Sequence, residues 1–416
     1  MSGSNMSVPV PSNARKSERE VFKRLENILK SRKPYCSGTM TVNKDQLIIF
    51  YGRDENSAGR ICLDDASPEQ LERLVRACDP ATFGVNQESV LDEQYRKSKK
   101  LDPLQFSSLF DVASLNRLLH EEFIPDRKQG VAIHYVRHKL NVYEPGSFFK
   151  PHVDTPRGGN MFGSLVIVFP TAHEGGSLVL RDAGKEWTID SAHDIASNPD
   201  LCVGFIAFYG DVEHEVLPIT SGYRVTMTYN LYYDRTSPTI VYVPTSVDDR
   251  YDRLKATFEE MLDQPPLLPN GGYLAFALQR KYGMDQKTDL RDLMEDLKGS
   301  DDLLLSVCED MSLRASLRVL YRSPDRASHD VLAPKIYQLE GAHWEDDFCL
   351  AEFLESQEYH VNDENRVLRT LRLARDKIRD STGKPADIWV KWVVKDDERR
   401  DTSPIRLRQS TEMNQH

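Results

Sequence analysis

The sequence predicts an α+β protein with a β-sandwich or β-barrel in its middle. From residue 131 to about residue 233, short runs of β-type residues alternate with Gly, Asp and Pro, a pattern typical of mostly antiparallel strands joined by turns. Before this region, apolar residues recur at helical spacing over 19–31, and Ser67-Pro68 followed by Gln70 begins a second helix. After it, helical and strand patterns alternate, which indicates an α/β region.

Changes in composition along the 416 residues predict three parts. Residues 1–18 are polar and rich in Ser, Pro and Asn, so we expect a disordered tail. Residues 19–235 are predicted to form one domain, in which helices within 19–121 buttress a β core at about 131–233. Residues 245–400 form a C-terminal α/β accessory region, either a separate domain or an elaboration packed on the same core.

Composition excludes several classes of protein. Lys and Arg number 54 against 65 Asp and Glu, and the net charge of −11 argues against a nucleic-acid partner. The longest aliphatic run, Leu165–Phe169, is far shorter than the ~20 residues of a membrane span, and the N-terminal residues have no apolar signal-peptide core. The six cysteines form no CxxC pair, which indicates free thiols. We therefore expect a cytoplasmic or nuclear protein without a membrane partner.

Three residues of the β region have the pattern of a metal site. His152 and Asp154 are two apart, so on a strand both side chains point to the same face. His214 lies in a later predicted strand. Two histidines and one carboxylate form the facial triad of non-haem Fe(II) oxygenases, which leaves coordination positions for a co-substrate and O₂. We predict these three residues to be the metal ligands and the catalytic centre.

Arg224 follows His214 by ten residues, after a predicted turn that contains Gly222. A strand, turn and strand of that length bring Arg224 back towards the metal. A buried guanidinium there suits the far carboxylate of a dicarboxylate, because it can bind two oxygens at once. A lone His-x-Asp is a weak signal, whereas the full set within one β region favours a metal site over a core histidine.

Two motifs give this region a family resemblance. The first has the spacing Tyr-x-x-Gly-x-x-aromatic-x-x-His-x-Asp, filled by Tyr143, Gly146, Phe149, His152 and Asp154. The second contains His214, Pro218, Ile219, Gly222 and Arg224, and Gly175-Gly176 lies between the two. The segment resembles the 2-oxoglutarate/Fe(II)-dependent dioxygenase superfamily, in particular its prolyl 4-hydroxylase-like branch and fungal members of unassigned substrate. Arg224 stands where that branch has Lys, and Phe149 where Tyr is commoner.

The resemblance implies a double-stranded β-helix (jelly-roll) core that binds Fe(II), 2-oxoglutarate and O₂, with ascorbate as an allowed accessory reductant. It implies Arg224 and Tyr143 as contacts of 2-oxoglutarate, with an ordinary barrel tyrosine as the alternative for Tyr143. Thr226, two residues after Arg224 on the same strand face, is either a third contact or a strand threonine. The implied reaction hydroxylates a peptidyl, prolyl-type substrate and releases succinate and CO₂.

Two other functions stay open on the sequence. One is the same oxygenase chemistry on a small-molecule metabolite, and the other is a catalytically idle barrel that serves as a binding or regulatory module. A cupin-type metalloenzyme is disfavoured, because Arg224 would then have no role. The sequence does not predict the oligomeric state.

A few further residues are weaker candidates. Arg157–Asn160 is a solvated turn or a mobile substrate loop, and Trp187 a core residue or a pocket wall. His134 and His138 have a helical metal spacing but lie in a strand pattern, so we do not expect a second metal there.

Overall fold

The computed structural model describes residues 12–85, 88–124, 131–154, 160–236, 249–263, 273–284, 287–321, 330–333, 368–370 and 387–391. They fall into two compact units, one within Lys33–Thr245 and one within Met1–Arg32 together with Ser246–Thr411. Helices are combined with mainly antiparallel strands, in agreement with the predicted α+β class.

The first unit begins with short elements. Its strands are β1 (Tyr35–Thr41), β2 (Ile48–Tyr51), β3 (Gly59–Cys62), β4 (Asp79–Pro80), β5 (Phe83–Val85), β6 (Glu88–Val90), β7 (Arg96–Lys97), β8 (Lys99–Leu101) and β9 (Phe106–Ser108). Its helices there are α2 (Pro68–Ala77) and α3 (Asn116–Glu122), with 3₁₀ turns at Lys44–Leu47 and Val112–Leu115.

The predicted β region follows in the same unit. Its strands are β10 (Ala132–Tyr143), β11 (Phe148–His152), β12 (Met161–Val168), β13 (His173–Gly175), β14 (Leu178–Asp182), β15 (Lys185–Ile189), β16 (Cys202–Tyr209), β17 (Glu213–Val216), β18 (Ile219–Gly222) and β19 (Arg224–Asp234). The short helix α4 (Ser191–Ser197) lies between β15 and β16.

Two sheets position the site. The larger has seven strands in the order β1-β16-β12-β19-β10-β8-β4, and the smaller has five in the order β15-β14-β17-β11-β7. Side chains of both sheets, such as Leu165 and Leu180, are fully buried in one apolar core. Strand β16 is buried along its whole length, which explains why its sequence is an unbroken apolar run rather than an alternating one.

Local sequence signals explain several of these elements. Helix α2 begins as predicted, because the Ser67 hydroxyl accepts from the Gln70 amide while the Gln70 side chain accepts from the Ser67 amide. The hairpin between β14 and β15 turns through Ala183 and Gly184, both with positive φ, as a two-residue hairpin requires. Strand β10 pairs with β19 over its whole length, with an irregularity at His138.

The second unit contains α1 (Ser12–Leu29), α5 (Arg250–Asp263), α6 (Leu290–Glu295) and α7 (Ser300–Asp310). Its strands are β20 (Tyr273–Ala277), β21 (Ala315–Tyr321), β22 (Asp330–Ala333), β23 (Leu368–Thr370) and β24 (Asp387–Lys391), in the order β20-β24-β21-β22-β23. The pairs that β24 makes are parallel and the others antiparallel. This mixed sheet agrees with the α/β pattern of the C-terminal sequence.

Helix α1 differs from expectation in two respects. It begins at Ser12, so the predicted tail of residues 1–18 is helical from that point, and residues 1–11 lie outside the described part. Its apolar face, which includes Leu25 and Ile28, packs with Leu254 of α5 and Leu304 of α7 in its own unit, whereas the sequence grouped α1 with the β region. The amphipathic pattern of α1 specified the buried face but not its partner. The other predicted domain bounds stay a prediction.

The cysteines of the described residues are all free thiols, as expected, and Cys349 lies outside those residues. No helix in the described ranges is long and apolar enough to cross a membrane. The predicted cytoplasmic or nuclear location stays a prediction.

Candidate active site

The three predicted ligand residues meet at one point of the five-stranded sheet. Strand β11 ends at His152, which lies directly opposite His214 of β17, and Asp154 follows two residues later. The potential ligand atoms of the three residues all lie within 4.8 Å of one another. The His214 Nε2 atom is 3.8 Å from Asp154 Oδ1, and the two imidazole centroids are 4.1 Å apart. A single metal ion fits among these atoms.

The imidazoles of His152 and His214 both have their Nε2 atom available to a metal. The Nδ1 atom of His152 lies 2.8 Å from the Lys150 carbonyl oxygen, and that of His214 lies 3.0 Å from the Val212 carbonyl oxygen. Because a carbonyl oxygen only accepts, each Nδ1 carries the hydrogen, and each Nε2 keeps a free lone pair. Backbone carbonyls thus fix the tautomer and the ring orientation of both histidines.

Asp154 is held as a carboxylate. The Ser164 hydroxyl on β12 donates a hydrogen bond to Asp154 Oδ2. Burial alone would raise the pKa of Asp154, but His214 and the Ser164 hydroxyl more than offset it, and the net pKa is lowered. Burial, followed by the neighbouring His214, lowers the pKa of His152 to about 3. At neutral pH both residues are therefore in the protonation state that binds a metal.

The residue next to His214 is not part of this group. Glu213 is exposed, and its carboxylate lies 3.6 Å from the Arg181 guanidinium. This orientation agrees with the alternation of side chains along β17, since His214 itself is buried beside Phe208, with 4.6 Å between the ring centroids.

Arg224 is a buried cation without a counter-ion among the described residues. It begins β19, lies opposite Tyr143 of β10, and is 2% exposed. Its guanidinium carbon is 5.5 Å from the Tyr143 ring centroid, and within the described structure it makes no hydrogen bond or ion pair. Burial lowers the pKa of Arg224, with Tyr143 acting in the opposite direction. A buried charge of this kind is costly without a partner, so the position favours an anionic ligand.

Two glycines have positive φ near Arg224, one packed against its side chain and one two residues before it. Gly176 has a φ of +72°, and a Cβ atom there would lie 2.2 Å from Ile219 Cδ1 and 2.9 Å from Arg224 Cδ. Gly222 has a φ of +73°, and a Cβ atom there would lie 2.1 Å from the Ala172 carbonyl oxygen. The glycine at 176 therefore leaves room for the Arg224 side chain, which explains the Gly-Gly element of the motif in physical terms.

The other predicted contacts of the co-substrate lie on the same two strands. Thr226 is 1% exposed and pairs with Asn141, two positions along from the pair of Arg224 and Tyr143. Because alternate residues share a strand face, Thr226 and Arg224 project from the same side of β19, as do Asn141 and Tyr143 from β10.

Three weaker candidates have ordinary surroundings or cannot be judged. Trp187 packs edge-on against Tyr35 with 5.6 Å between the ring centroids, which fits the core interpretation. The Asn160 side chain donates to the Tyr233 carbonyl oxygen at 3.1 Å, and residues 157–159 lie outside the described part. His134 and His138 lie on β10 in the expected strand conformation.

Sequence reasoning missed Ser164. It stands in a continuous apolar strand pattern, and nothing in its neighbours indicates a partner ten residues earlier. Its role becomes visible only when β12 and the end of β11 are seen together.

Two histidines on paired antiparallel strands and a carboxylate just past the end of one of them, in a unit with a buried arginine, are the arrangement of 2-His-1-carboxylate oxygenases. Residues 138–232 match the family model of the 2OG-Fe(II) oxygenase superfamily. Residues 138–232 therefore belong to an oxygenase domain of this superfamily, a dioxygenase that uses Fe(II), 2-oxoglutarate and O₂. The predicted superfamily and cofactors are thereby confirmed.

One solved structure with partial likeness is a prolyl-4-hydroxylase from Pseudomonas putida. Its sequence is 18% identical, the match covers 51% of this chain and 98% of that chain, and the TM-score is 0.30. A prolyl hydroxylase from Trichoplax adhaerens, solved with a peptide fragment of the hypoxia inducible factor oxygen degradation domain, has 14% identity, 54% and 94% coverage, and a TM-score of 0.29. Superposition scores of this size carry no argument about substrate. No curated protein matches the sequence significantly.

Proposed function

We propose that His152, Asp154 and His214 are the Fe(II) ligands of this dioxygenase. The observation that carries the proposal is the closeness of their ligand atoms, within 4.8 Å, with both Nδ1 atoms occupied by carbonyl oxygens and both Nε2 atoms left for the metal. The alternative of a catalytically idle barrel is disfavoured, because such a barrel would have no use for a complete set of metal-ligand atoms held within 4.8 Å of one another.

For 2-oxoglutarate we propose that Arg224 pairs with the carboxylate far from the metal. The support is the buried guanidinium without a partner, which a carboxylate would satisfy with two hydrogen bonds. The Thr226 hydroxyl and the Tyr143 phenol, on neighbouring positions of the same strand pair, are the next polar groups available to that carboxylate.

In the proposed mechanism the chain binds and orients the metal, 2-oxoglutarate and the substrate, and it excludes water from the site. Bound Fe(II), together with 2-oxoglutarate and O₂, supplies the oxidising chemistry, in which decarboxylation to succinate and CO₂ is coupled to hydroxylation of the substrate. The Lys150 and Val212 carbonyls hold the two imidazoles, and the Ser164 hydroxyl holds one carboxylate oxygen of Asp154. The apolar surroundings of Arg224 strengthen its attraction for a carboxylate.

For the substrate we propose a peptidyl, prolyl-type residue. The support is the spacing of both motif halves, which resembles the prolyl 4-hydroxylase-like branch around His152 and His214. Phe149, which departs from that branch, stacks on His152 with 3.5 Å between the ring centroids, a contact that needs a ring but no hydroxyl. The departure therefore does not weigh against a peptidyl substrate.

We also infer that the seven-stranded and five-stranded sheets are the two sheets of a double-stranded β-helix, within an oxygenase domain spanning residues 33–245. The shared apolar core of the two sheets supports the fold, and the packing of α1 with α5 and α7 supports the boundary after residue 32. Residues 33–245 expressed alone should then bind Co(II), a redox-stable substitute for Fe(II). A fragment that folds without binding the metal would contradict the boundary.

The substrate proposal is tested by succinate release. Purified protein with Fe(II) and 2-oxoglutarate is given proline-containing peptides, matched peptides with alanine in place of proline, and a panel of small metabolites. We expect stimulation above the uncoupled rate by the proline peptides alone, with an added mass of one oxygen on the peptide. Stimulation by a metabolite alone would favour the small-molecule alternative, and an Asp154→Ala control should release no succinate in any of these assays.

A further inference from the structure

Arg96 is a second buried arginine near the site, and it belongs to none of the motifs. It lies on β7, is 7% exposed, and pairs with Phe149 of β11. Its guanidinium donates to acceptors in three segments of the chain: the Ser98 hydroxyl at 3.1 Å, the Thr82 carbonyl oxygen at 3.0 Å and the Asn141 side-chain oxygen at 2.9 Å. Because the guanidinium is planar, three such bonds fix both its position and its plane.

The guanidinium and two rings form a continuous series of contacts that ends at the metal site. The Arg96 guanidinium carbon lies 4.4 Å from the Phe149 ring centroid, within the range of a cation–π contact. The Phe149 ring in turn stacks on the His152 imidazole, with 3.5 Å between the centroids and 23° between the planes. The guanidinium groups of Arg60, Arg137 and Arg224 instead contact the rings of Phe50, Phe106 and Tyr143, which are not ligand residues.

The position of His152 makes this support necessary. His152 is the last residue of β11, and the pairing of β11 with β17 is irregular between Phe149 and His152. The backbone ladder therefore constrains the imidazole less than it would in the middle of a strand. Besides the neighbouring His214 ring, its hydrogen bond to the Lys150 carbonyl oxygen and its stacking on Phe149 set the imidazole.

We propose that Arg96 is a positioning residue of the metal site, which acts through the Phe149 ring to hold the His152 imidazole in its metal-binding orientation. The inference rests on the proposed role of His152 as a ligand. Arg96 also ties β7 to Asn141 of β10, so it links the strand that carries His152 to the strand that carries Tyr143.

The test is metal affinity and the spectrum of the bound metal, measured without turnover. Co(II) is titrated anaerobically into the full chain, with calorimetry for the dissociation constant and visible absorption for the ligand geometry. Arg96→Met should weaken Co(II) binding by about tenfold, as loss of an outer-sphere support typically does, and should change the Co(II) absorption bands. Arg96→Lys keeps the charge but loses the three-point fixation, so it should give a similar loss and serves if the methionine variant does not fold.

The coupling to Phe149 separates this role from a general effect on stability. Phe149→Leu should weaken Co(II) binding, and adding Arg96→Met to it should cause little further loss, because the arginine acts through the ring. Phe149→Tyr should keep the affinity, because it keeps the ring. Arg137 is a matched control, since its guanidinium carbon lies 4.9 Å from the Phe106 ring centroid and does not lead to the triad. Arg137→Met should leave Co(II) affinity and spectrum unchanged.

Three outcomes would overturn the inference. A lowered melting temperature in Arg96→Met with unchanged Co(II) affinity and spectrum would identify a merely structural arginine. Fully additive losses in the double variant would show that Arg96 does not act through Phe149. A wild-type protein that binds no Co(II) would remove the metal site itself, and that failure of the proposed function is distinct from the other two.

Discussion

Replacing Arg224 by methionine should have opposite effects on the free protein and on its complex with 2-oxoglutarate. In the free protein the guanidinium is 2% exposed and makes no ion pair or hydrogen bond within the described structure. Methionine has a similar length and carries no charge, so it removes the penalty of desolvation. The complex instead loses the partner of a buried carboxylate.

The two effects differ in sign and are both measurable. Replacement of buried ionic groups by apolar ones stabilises proteins by up to about 4 kcal/mol, so Arg224→Met should equal or exceed the wild type in its free energy of unfolding. Removal of one partner of a buried charge pair costs about 2–5 kcal/mol of binding, which corresponds to a 2-oxoglutarate affinity weaker by about 30-fold to several thousand-fold.

Anaerobic titration of 2-oxoglutarate into the Fe(II)-loaded protein gives the dissociation constant of 2-oxoglutarate. The charge-transfer absorption of the complex reports the binding. Thermal unfolding with and without 2-oxoglutarate gives the second measurement. At a concentration 100 times the wild-type dissociation constant, the wild type should gain about 2.7 kcal/mol of stability, and Arg224→Met should gain at most about 0.9 kcal/mol at the same concentration.

A contrasting variant uses the other buried arginine of the same unit. Arg96 is hydrogen-bonded to Asn141 and two further acceptors, so Arg96→Met should lower stability, in contrast to Arg224→Met. A destabilised Arg224→Met protein with unchanged 2-oxoglutarate affinity would refute the reasoning, because Arg224 would then be a structural strand residue.

Three further predictions follow from the site and the core. Asp154→Ala should abolish Fe(II) binding in calorimetry while the circular dichroism spectrum stays that of the wild type, and retained turnover would contradict its role as a ligand. Gly176→Ala should weaken 2-oxoglutarate binding and lower the free energy of unfolding by well over the ~1–2 kcal/mol that a positive φ costs an alanine. Gly184 has a φ of +76° and no atom within 4 Å of the position that an added methyl group would take, so Gly184→Ala should cost only that strain in denaturant unfolding. Burial raises the pKa of the Cys308 thiol to about 12, so iodoacetamide at pH 8 should leave it unmodified in the native protein while the half-buried Cys62 reacts. Equal labelling of the two thiols in mass spectrometry would contradict the core packing of Cys308.

The parts of the site that the sequence predicts are those that obey a local rule. The two-residue spacing of His152 and Asp154 predicts that their side chains lie together, and the structure brings their ligand atoms together with that of His214 although β11 ends at His152. Arg224 follows His214 after a segment in which Gly222 has a positive φ, a conformation that suits the glycine of the predicted turn. The helix start at Ser67 is equally local, because the capping residues are three apart.

The parts that the sequence does not predict are contacts between distant segments. Helix α1 has a clear apolar face, but an amphipathic pattern is satisfied by any apolar surface, and only the fold shows that α5 and α7 provide it. The hydrogen bond from Ser164 to Asp154 joins two strands that are not neighbours in the motif. Arg96 lies 56 residues before His152 and is coupled to it only through Phe149.

Phe149 shows why a motif position needs its geometry before a departure is interpreted. From the sequence, phenylalanine in place of the commoner tyrosine counts as a lost hydroxyl that was available to the co-substrate or to water. In the structure the face of the ring is in use, between the imidazole of His152 and the guanidinium of Arg96, and the position of a hydroxyl does not affect either contact. The His152 imidazole therefore requires an aromatic ring at position 149, whereas the presence of a hydroxyl on that ring is free to vary with the co-substrate or substrate. Leucine and tyrosine at position 149 separate the two roles, because leucine removes the stacking and tyrosine keeps the ring and restores the hydroxyl.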